Sequence, residues 1–340
     1  MNDKESIRRR AISLIAASGT GVASRLAAEF GLSRQVANGY LAGLVRDGLA
    51  DSTGTTRSRS YRLKTHTESD QRFDREGLSE DRVWREQIKP VVVDLPRNVL
   101  DIWHYAATEM INNAIDHSGS PQVRVLVRRN ALDTEVEVID EGEGIFLKIQ
   151  RALDLPDPRE AILELAKGKL TTAPSHHSGE GIFFTSRVMD LFEIDSHHLR
   201  FSHQPRGEDR IDEHPADTPG TRVRMRLVND SPKTLLAVFQ QFTEGEDTDF
   251  ARTVVPLRLA QHEGDKLVSR SQAKRVAFRF ERFKKVELDF TGVEEIGQAF
   301  ADELFRVYAR SHPEIRITPI NTVPAVDMMI RRAVSAPVEN

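Results

Sequence analysis

The sequence has 340 residues, of which 48 are Lys or Arg and 52 are Asp or Glu, and its formal net charge is −4 at pH 7. This length predicts two or three domains with separate cores, and the charge balance excludes a uniformly basic coat while allowing a local basic patch. The absence of cysteine excludes disulfides, thiolate metal sites and cysteine nucleophiles. The first residues lack the apolar core of a signal peptide, and no apolar run reaches the roughly 18 residues of a membrane span, so we expect a cytoplasmic protein without membrane contact.

The first elements predicted along the chain are three helices and a hairpin. Residues 5–17 have a helical pattern, and residues 21–50 then predict a short helix, a Gly31–Leu32 turn and a second helix that begins after Ser33. The stretch DSTGTTRSRSYRLKT (51–65) has the composition of two strands joined by a polar tip. Over residues 1–65 this order resembles the winged helix-turn-helix superfamily.

The resemblance implies a DNA-binding surface, because winged-helix proteins place the second helix of the turn in the major groove. Candidate DNA-binding residues are then Arg34, Gln35 and Asn38 at base edges, with Arg57 and Arg59 on the wing at phosphate or the minor groove. One module reads only a few base pairs, so useful affinity for double-stranded DNA implies a homodimer. The alternative is a winged helix used for protein contacts.

Two further segments are distinguished by composition. Residues 66–89 are charged and almost free of aliphatic side chains, which predicts a linker that ends in a short helix. Residues 90–232 contain alternating stretches typical of half-buried antiparallel strands, which predict an α+β layer with the sheet on one side. These stretches are QVRVLVRR (122–129), TEVEVID (134–140) and TRVRMRLV (221–228).

One helix of this middle segment, TEMINNAIDHS (108–118), has an unusual polar stripe beside its apolar face. Glu109 and Asn113 are four residues apart and project from the same side, with Asp116 one turn further on. Taken alone, such a stripe also fits a core helix whose polar groups satisfy neighbouring backbone atoms.

Glycine-rich turns follow this helix in a fixed order. VIDEGEGI (138–145) places Asp140 at a strand end before Gly142 and Gly144, and SHHSGEGIFF (175–184) places Gly179 and Gly181 before an apolar helix. PGTRVRMRL (219–227) then opens a strand with Thr221. Each motif alone is weak. Together they resemble the GHKL ATPase superfamily, which has the Bergerat fold, over about residues 95–230.

The resemblance implies ATP and Mg²⁺ as ligands and assigns roles to individual residues. Asn113 would hold Mg²⁺, Glu109 would act as the catalytic base, and Asp140 would accept a hydrogen bond from the adenine amino group. The glycines would allow close approach of backbone amides to the nucleotide, and the Thr221 hydroxyl would support the adenine site. The implied ATP-binding residues are Asn113, Asp116, Asp140, Gly142, Gly144, Lys169, Ser178, Gly179, Gly181 and Thr221.

The loop before Gly179 lies where the family carries its mobile ATP lid. Lys169, His176, His177 and Ser178 are therefore expected on the phosphate side. The paired histidines also raise a metal site as an alternative, but two ligands without a third and fourth nearby fit a solvated loop better.

The sequence also separates this chain from the sensor histidine kinases. Those proteins need an acceptor histidine on a separate dimerising hairpin, and they usually have Asn where this chain has Glu109. The motif is nearer to the anti-sigma-factor kinases and the true ATPases, in which that carboxylate serves as base. We therefore expect ATP hydrolysis rather than protein phosphorylation, and no histidine autokinase activity.

The last segment, residues 246–336, alternates strands and helices and predicts a small sheet covered by helices on one face. The stretch VELDFTGVEEIGQAFADELFRVY (286–308) resembles the STAS domain of anti-sigma-factor antagonists, and the segment resembles the STAS-like domain DUF4325. Where that domain can present a phosphorylatable serine, this chain has Gly297, Gln298 and Ala299, so phosphoryl transfer to it is not expected. The segment is either a docking site for a protein partner or a packing module without a ligand.

These expectations combine into an α+β multidomain protein: a winged helix, a Bergerat-fold α/β sandwich and a small STAS-like α/β domain. The function they imply is a cytoplasmic DNA-binding regulator in which Mg·ATP acts as a conformational switch with slow hydrolysis. One alternative is an anti-sigma-type kinase that phosphorylates a serine of a separate partner. Another is a nucleotide-independent scaffold.

Overall fold

A computed structural model describes residues 4–55, 58–170, 179–204, 209–243, 250–261 and 266–335. Its first unit has the three helices and the hairpin that the sequence pattern predicts. The Ser33 hydroxyl caps the third helix by accepting a hydrogen bond from the Val36 amide at 3.2 Å. Ile7, Leu26 and Leu41 belong to a small separate core. The elements are α1 Lys4–Ser18, α2 Val22–Phe30, α3 Arg34–Arg46, β1 Ala50–Thr53 and β2 Ser60–Leu63.

The next segment differs from the predicted linker. Residues 66–89 include a strand that pairs antiparallel with residues 122–129, and the helical turns after it carry the buried side chains of Val83, Trp84 and Ile88. The strand is charged because it is an edge strand with exposed positions, where Asp70 and Glu68 pair with arginines of the neighbouring strand. The elements are β3 Thr67–Asp74, α4 Glu80–Val83, a π-helical turn Trp84–Ile88 and α5 Lys89–Val92.

The middle unit is built on a five-stranded antiparallel sheet with the order β3-β4-β5-β7-β6. The sequence pattern did not predict β6. The register shifts near His197 interrupt the alternation of buried and exposed residues along this strand. The elements are α6 Arg97–His117, β4 Gln122–Arg129, β5 Asp133–Asp140, α7 Ile145–Ala152, α8 Pro158–Lys167, α9 Gly181–Val188, β6 Leu191–His203, β7 Arg210–Val228 and α10 Leu235–Gln240.

The two faces of this sheet differ in character. Alternate valines such as Val125 and Val136 are buried in the core with the apolar face of α6. The opposite face carries a ladder of ion pairs, in which Glu137 accepts from Arg222 at 2.8 Å and from Arg128 at 3.2 Å. The sheet and α6 therefore form two layers, and loops at one end of these layers surround the cleft described below.

The third unit alternates strands and helices as the sequence predicts. Its three strands are parallel and have the order β10-β9-β8. The elements are β8 Arg252–Pro256, a 3₁₀ turn Leu257–Ala260, α11 Arg270–Ala277, a 3₁₀ turn Phe280–Arg282, β9 Lys285–Asp289, α12 Gln298–Asp302, a π-helical turn Glu303–Tyr308, α13 Ala309–Ser311, β10 Arg316–Ile320 and α14 Pro324–Ser335.

The third unit packs on the middle unit through apolar and charged groups. Phe250 contacts Phe183 of α9 with 4.6 Å between ring centroids. The ammonium of Lys167, at the end of α8, is fully buried and donates to the Phe278 carbonyl at 2.9 Å. The middle and third units therefore share one continuous core. Within the described ranges, no helix combines the length and the apolar character needed to cross a membrane.

Candidate functional site

A cleft opens between the second half of α6, the loop after β5, the loop before α9 and the second half of β7. Five of the residues singled out from the sequence line it, although they come from four separate parts of the chain. These are Asn113, Asp140, Gly144, Gly179 and Thr221. The fold thus brings together one residue or more from each of the four motifs.

Asp140 is the buried carboxylate of this cleft, since only 5% of its surface is exposed. Its Oδ1 accepts a hydrogen bond from the Gly142 amide at 2.9 Å. Burial raises the pKa of this carboxyl to about 6, although hydrogen bonds from Gly142 and Thr221 and the charge of Lys148 oppose the shift. Asp140 is therefore mostly ionised at neutral pH and can accept a further hydrogen bond from a ligand.

Thr221 joins two walls of the cleft. It lies opposite Asp140 in the β5–β7 pair. Its Oγ1 accepts a hydrogen bond from the Ile145 amide at 3.1 Å, at the first residue of α7. The hydroxyl thereby holds the loop after Asp140 against the sheet, which preserves the shape of the cleft.

The glycines after Asp140 have different roles in the structure. A β-carbon on Gly142 would lie 1.9 Å from the Ser118 carbonyl oxygen, so this glycine permits close packing of the loop against the end of α6. Gly142 is not among the residues that line the cleft, whereas Gly144 is. Gly144 has φ 88°, and a β-carbon there would lie 2.6 Å from Ser196 Oγ. Gly142 therefore shapes the loop, which differs from the expected direct approach to a ligand.

Gly179 lines the cleft just before α9, and Gly181 is the first residue of that helix but does not line the cleft. The Leu170 amide donates to the Gly179 carbonyl at 3.0 Å, and both residues line the cleft. Gly181 lies against the carboxylate of Glu109. Burial, with the charges of Glu109 and Glu180, raises the pKa of Tyr105 nearby. Because Gly181 is the first residue of α9, Glu109 lies at the amino terminus of that helix. On α6, Glu109 is one helical turn before Asn113.

Five predicted site residues within the described ranges do not line the cleft: Gly142 and Gly181, described above, and Glu109, Asp116 and Lys169. Glu109 and the exposed Asp116 are not among the lining residues. Lys169 is directed toward the third unit, where its Nζ donates to the Arg282 carbonyl at 3.1 Å and lies over the rings of Phe250 and Phe283. The Lys169 ammonium therefore contacts aromatic rings and a carbonyl of the third unit, and it is not observed on the phosphate side of the cleft, where the sequence predicted it.

Some predicted residues fall outside the described residues. They are Arg57, His176, His177 and Ser178.

The structure adds cleft residues that the motifs did not indicate. Lys148 of α7 lines the cleft and donates from Nζ to the His117 carbonyl at 2.6 Å, at the last residue of α6. Its position one helical turn after Gly144 was the available signal. Apolar side chains complete the wall of the cleft. They are Met110, Ile145, Ile149, Leu165, Leu170, Ile182 and Val223.

The candidate metal ligand is a single neutral amide. Asn113 is half-buried and lines the cleft. Within the described ranges, no group of three or more His, Asp or Glu side chains could hold a metal ion on its own. This donor set fits an ion such as Mg²⁺ that keeps most of its waters and takes further oxygens from a phosphate-bearing ligand.

The candidate DNA-binding side chains lie on the first unit. Arg34, Gln35 and Asn38 are exposed on α3, and Arg59 is exposed after the tip of the hairpin. Arg34 donates to Ser24 Oγ of α2 at 2.7 Å.

Three neighbouring arginines of α1 are paired with carboxylates. Arg8 contacts Asp47, Arg9 contacts Glu5, and Arg10 contacts Glu29. Their charges are therefore partly compensated within the unit.

Comparison with known families assigns two parts of the chain. Residues 72–201 match the histidine kinase-like ATPase domain, and residues 272–327 match the STAS-like domain of unknown function (DUF4325). The chain therefore contains an ATPase domain of the histidine kinase-like type followed by a STAS-like domain, as the motifs indicated. No curated protein matches the chain. The boundaries predicted for these domains, 90–232 and 246–336, stay predictions.

Proposed function

We propose that this protein is a DNA-binding regulator whose ATPase domain binds Mg·ATP in the cleft and uses the nucleotide as a conformational switch. The observation that carries the proposal is the convergence of Asn113, Asp140 and Thr221 on one cleft, since these residues are far apart in the sequence. The match of residues 72–201 to the histidine kinase-like ATPase domain supports the same ligand.

Each cleft residue has a chemical role in this proposal. The buried Asp140 carboxylate accepts a hydrogen bond from the adenine amino group, which guanine cannot donate at that position. The apolar wall formed by Ile145 and Val223 contacts the faces of the base. Asn113 offers its amide oxygen toward the phosphates, where bound Mg²⁺ supplies compensating positive charge.

The switch follows from differential binding. A nucleotide shifts an equilibrium between two conformations only by the difference in its affinity for them. The cleft is bordered by Leu170 and Gly179, which flank the segment that the structure does not describe, so a bound nucleotide contacts both flanks at once. Glu109 is the proposed base for slow hydrolysis, which would reset the switch.

Binding is tested first by calorimetric titration with ATP, with and without Mg²⁺, with GTP as the control. Saturable binding of Mg·ATP and no comparable binding of GTP is the expected result. A wild-type protein that binds neither nucleotide would refute the nucleotide-dependent function and leave the scaffold as the better description.

Turnover is tested with γ-labelled ATP. Release of free phosphate supports the switch. Transfer of the label to a serine of a partner protein would instead support the kinase alternative and would contradict a switch reset by hydrolysis.

The DNA-binding part of the proposal rests on the first unit. Its helix α3 exposes Arg34, Gln35 and Asn38, while Ala37 and Leu41 on the other side of the helix are buried in the core. A helix anchored on one face and exposed on the other has the form needed to enter a major groove. We propose that a homodimer presents two such helices to two half-sites.

A further inference from the structure

We propose that Arg279 of the STAS-like domain is a positioning residue for the nucleotide cleft, because it holds the chain around Lys169 at the edge of that cleft. This inference rests on the proposed function. It assigns the STAS-like domain a direct part in setting the nucleotide affinity of the ATPase domain in the same chain.

Arg279 is built into the contact between the two domains. Only 5% of its surface is exposed, and its backbone has φ 64°, in the left-handed region that a residue with a side chain rarely adopts. Its guanidinium donates to Glu164 Oε2 of α8 at 3.0 Å and to the carbonyl oxygens of Gly168 and Lys169. One side chain of the STAS-like domain therefore holds both the end of α8 and the residues after it.

The contact continues from Lys169 into the cleft through one residue. Leu170 lines the cleft and donates its amide to the Gly179 carbonyl at 3.0 Å. Gly179 also lines the cleft and comes two residues before Gly181, the first residue of α9. A displacement of the Lys169 carbonyl would thus move Leu170. Because Leu170 donates to the Gly179 carbonyl, the position of Gly179 in the cleft would change as well.

The surrounding charges allow Arg279 to be replaced without leaving a lone buried charge. Glu164 has a second cationic partner, since Lys167 Nζ donates to its Oε1 at 2.5 Å. Removal of one partner from a buried ion pair is severe when the other charge is left alone. Here Lys167 remains beside Glu164. Asn tolerates the left-handed backbone better than most residues, so Arg279→Asn is the appropriate variant.

Arg275 provides a matched control on the same side of the contact. It belongs to α11 and pairs across the domain contact with Glu160, in the first turn of α8, at 2.9 Å. Arg275→Asn therefore also removes an ion pair between the domains, but the lost bond is at the opposite end of α8 from Gly168.

The test is a calorimetric titration of Mg·ATP into the full-length wild type, Arg279→Asn and Arg275→Asn, with folding checked by circular dichroism. We expect Arg279→Asn to weaken Mg·ATP binding by roughly tenfold, which is a typical magnitude for the coupling between two sites. Arg275→Asn should change the affinity by less than about twofold. Unchanged affinity in a folded Arg279→Asn variant, or an equal loss in both variants, would overturn the inference. Absence of binding in the wild type would instead refute the proposed function.

Reciprocity gives a second measurement that does not depend on a variant that folds. If Arg279 couples the domains, bound nucleotide must stabilise the STAS-like contact by the same free energy. Hydrogen exchange in peptides covering residues 270–283 of the wild type should slow when Mg·ATP is added, whereas peptides covering α14 should not change. Nucleotide binding with no added protection in residues 270–283 would contradict the role of Arg279.

Discussion

Gly181 lies directly against Glu109: a β-carbon on Gly181 would lie 2.0 Å from the Glu109 Oε2 atom. The first residue of α9 therefore has no side chain because the carboxylate of α6 occupies that space. This relationship joins two residues that the sequence suggested for separate reasons, a base and a backbone amide. It also shows how the position of the carboxylate can be altered without removing it.

The first prediction concerns this pair. Gly181→Ala should displace the Glu109 carboxylate and lower ATP turnover by about 10²-fold, because a small misplacement of a catalytic group is costly. Alanine favours helices over glycine by about 1 kcal/mol, so the fold should be retained. Phosphate release and nucleotide binding are measured in the same samples.

The control is a double-mutant cycle. Glu109→Gln should lower turnover by roughly 10²- to 10⁴-fold with little effect on binding, as expected on loss of a general base. Adding Gly181→Ala to Glu109→Gln should then have almost no further effect, because both changes act on one group. Independent, multiplicative losses would show that Gly181 does not act through the carboxylate, and wild-type turnover in Glu109→Gln would refute its role as base.

The second prediction concerns Asn113 as the magnesium-side ligand. Asn113→Ala should weaken Mg·ATP binding by roughly 10- to 100-fold, the cost of a lost hydrogen bond or ligand to a charged group. Asn112→Ala is the matched control, since Asn112 is the neighbouring amide on α6 and does not line the cleft. Equal affinities of the two variants for Mg·ATP would exclude the proposed role of Asn113.

The third prediction is a pH dependence of adenine recognition. Because the pKa of Asp140 is about 6, the carboxylate becomes protonated as the pH falls through this value, and a protonated group is a poorer acceptor. The affinity for adenosine, which has no phosphates to titrate, should fall over the same range. Asp140→Asn should bind adenosine weakly at every pH. A wild-type affinity that is constant between about pH 5 and about pH 8 would contradict this assignment.

The fourth prediction concerns stability without nucleotide. The pKa of Asp140 is raised from 3.8 to about 6 on folding, so the folded protein binds the proton more tightly than the unfolded chain. The tighter proton binding of the folded protein stabilises it fully below pH 3.8, and this stabilisation is lost as the pH rises through about 6. Asp140→Asn should therefore be more stable than the wild type at about pH 7.5, by about 3 kcal/mol, and the difference should shrink at about pH 4. Denaturant unfolding of both proteins at both pH values measures this difference in the free energy of unfolding. If the wild type were the more stable protein at about pH 7.5, burial would not disfavour the Asp140 carboxylate.

The fifth prediction concerns DNA. Arg34→Ala should weaken binding to a selected specific duplex by roughly 1 to 3 kcal/mol and relax the preference at the base it contacts. Arg97→Ala is the control, because it removes an exposed arginine from α6 of the ATPase domain. Binding is measured by fluorescence anisotropy at two salt concentrations. If the two variants bind the duplex alike, Arg34 does not contact a base.

Local pattern was enough to predict the elements whose signal is contained in consecutive residues. The helices of the first unit, the strands β4 and β5 and the alternation of the STAS-like domain all follow their hydrophobic periods. The same pattern failed for β3, where charged residues such as Asp70 and Glu68 suggested a linker. Their arginine partners, Arg124 and Arg128, lie more than fifty residues later, so the reason for the strand is not local.

The order of the motifs indicated five of the residues that line the cleft, because an amide on α6, a carboxylate at a strand end and glycine turns each form a pattern of a few consecutive residues. Only the tertiary structure decided where their side chains go. Lys169 was directed away from the cleft by Phe250, Phe283 and the Arg282 carbonyl of another domain. Gly142 was required by the approach of the Ser118 carbonyl. The physical reason is the same in both cases: a local motif specifies the chemistry of a group, whereas its direction and burial depend on neighbours that only the folded chain brings near.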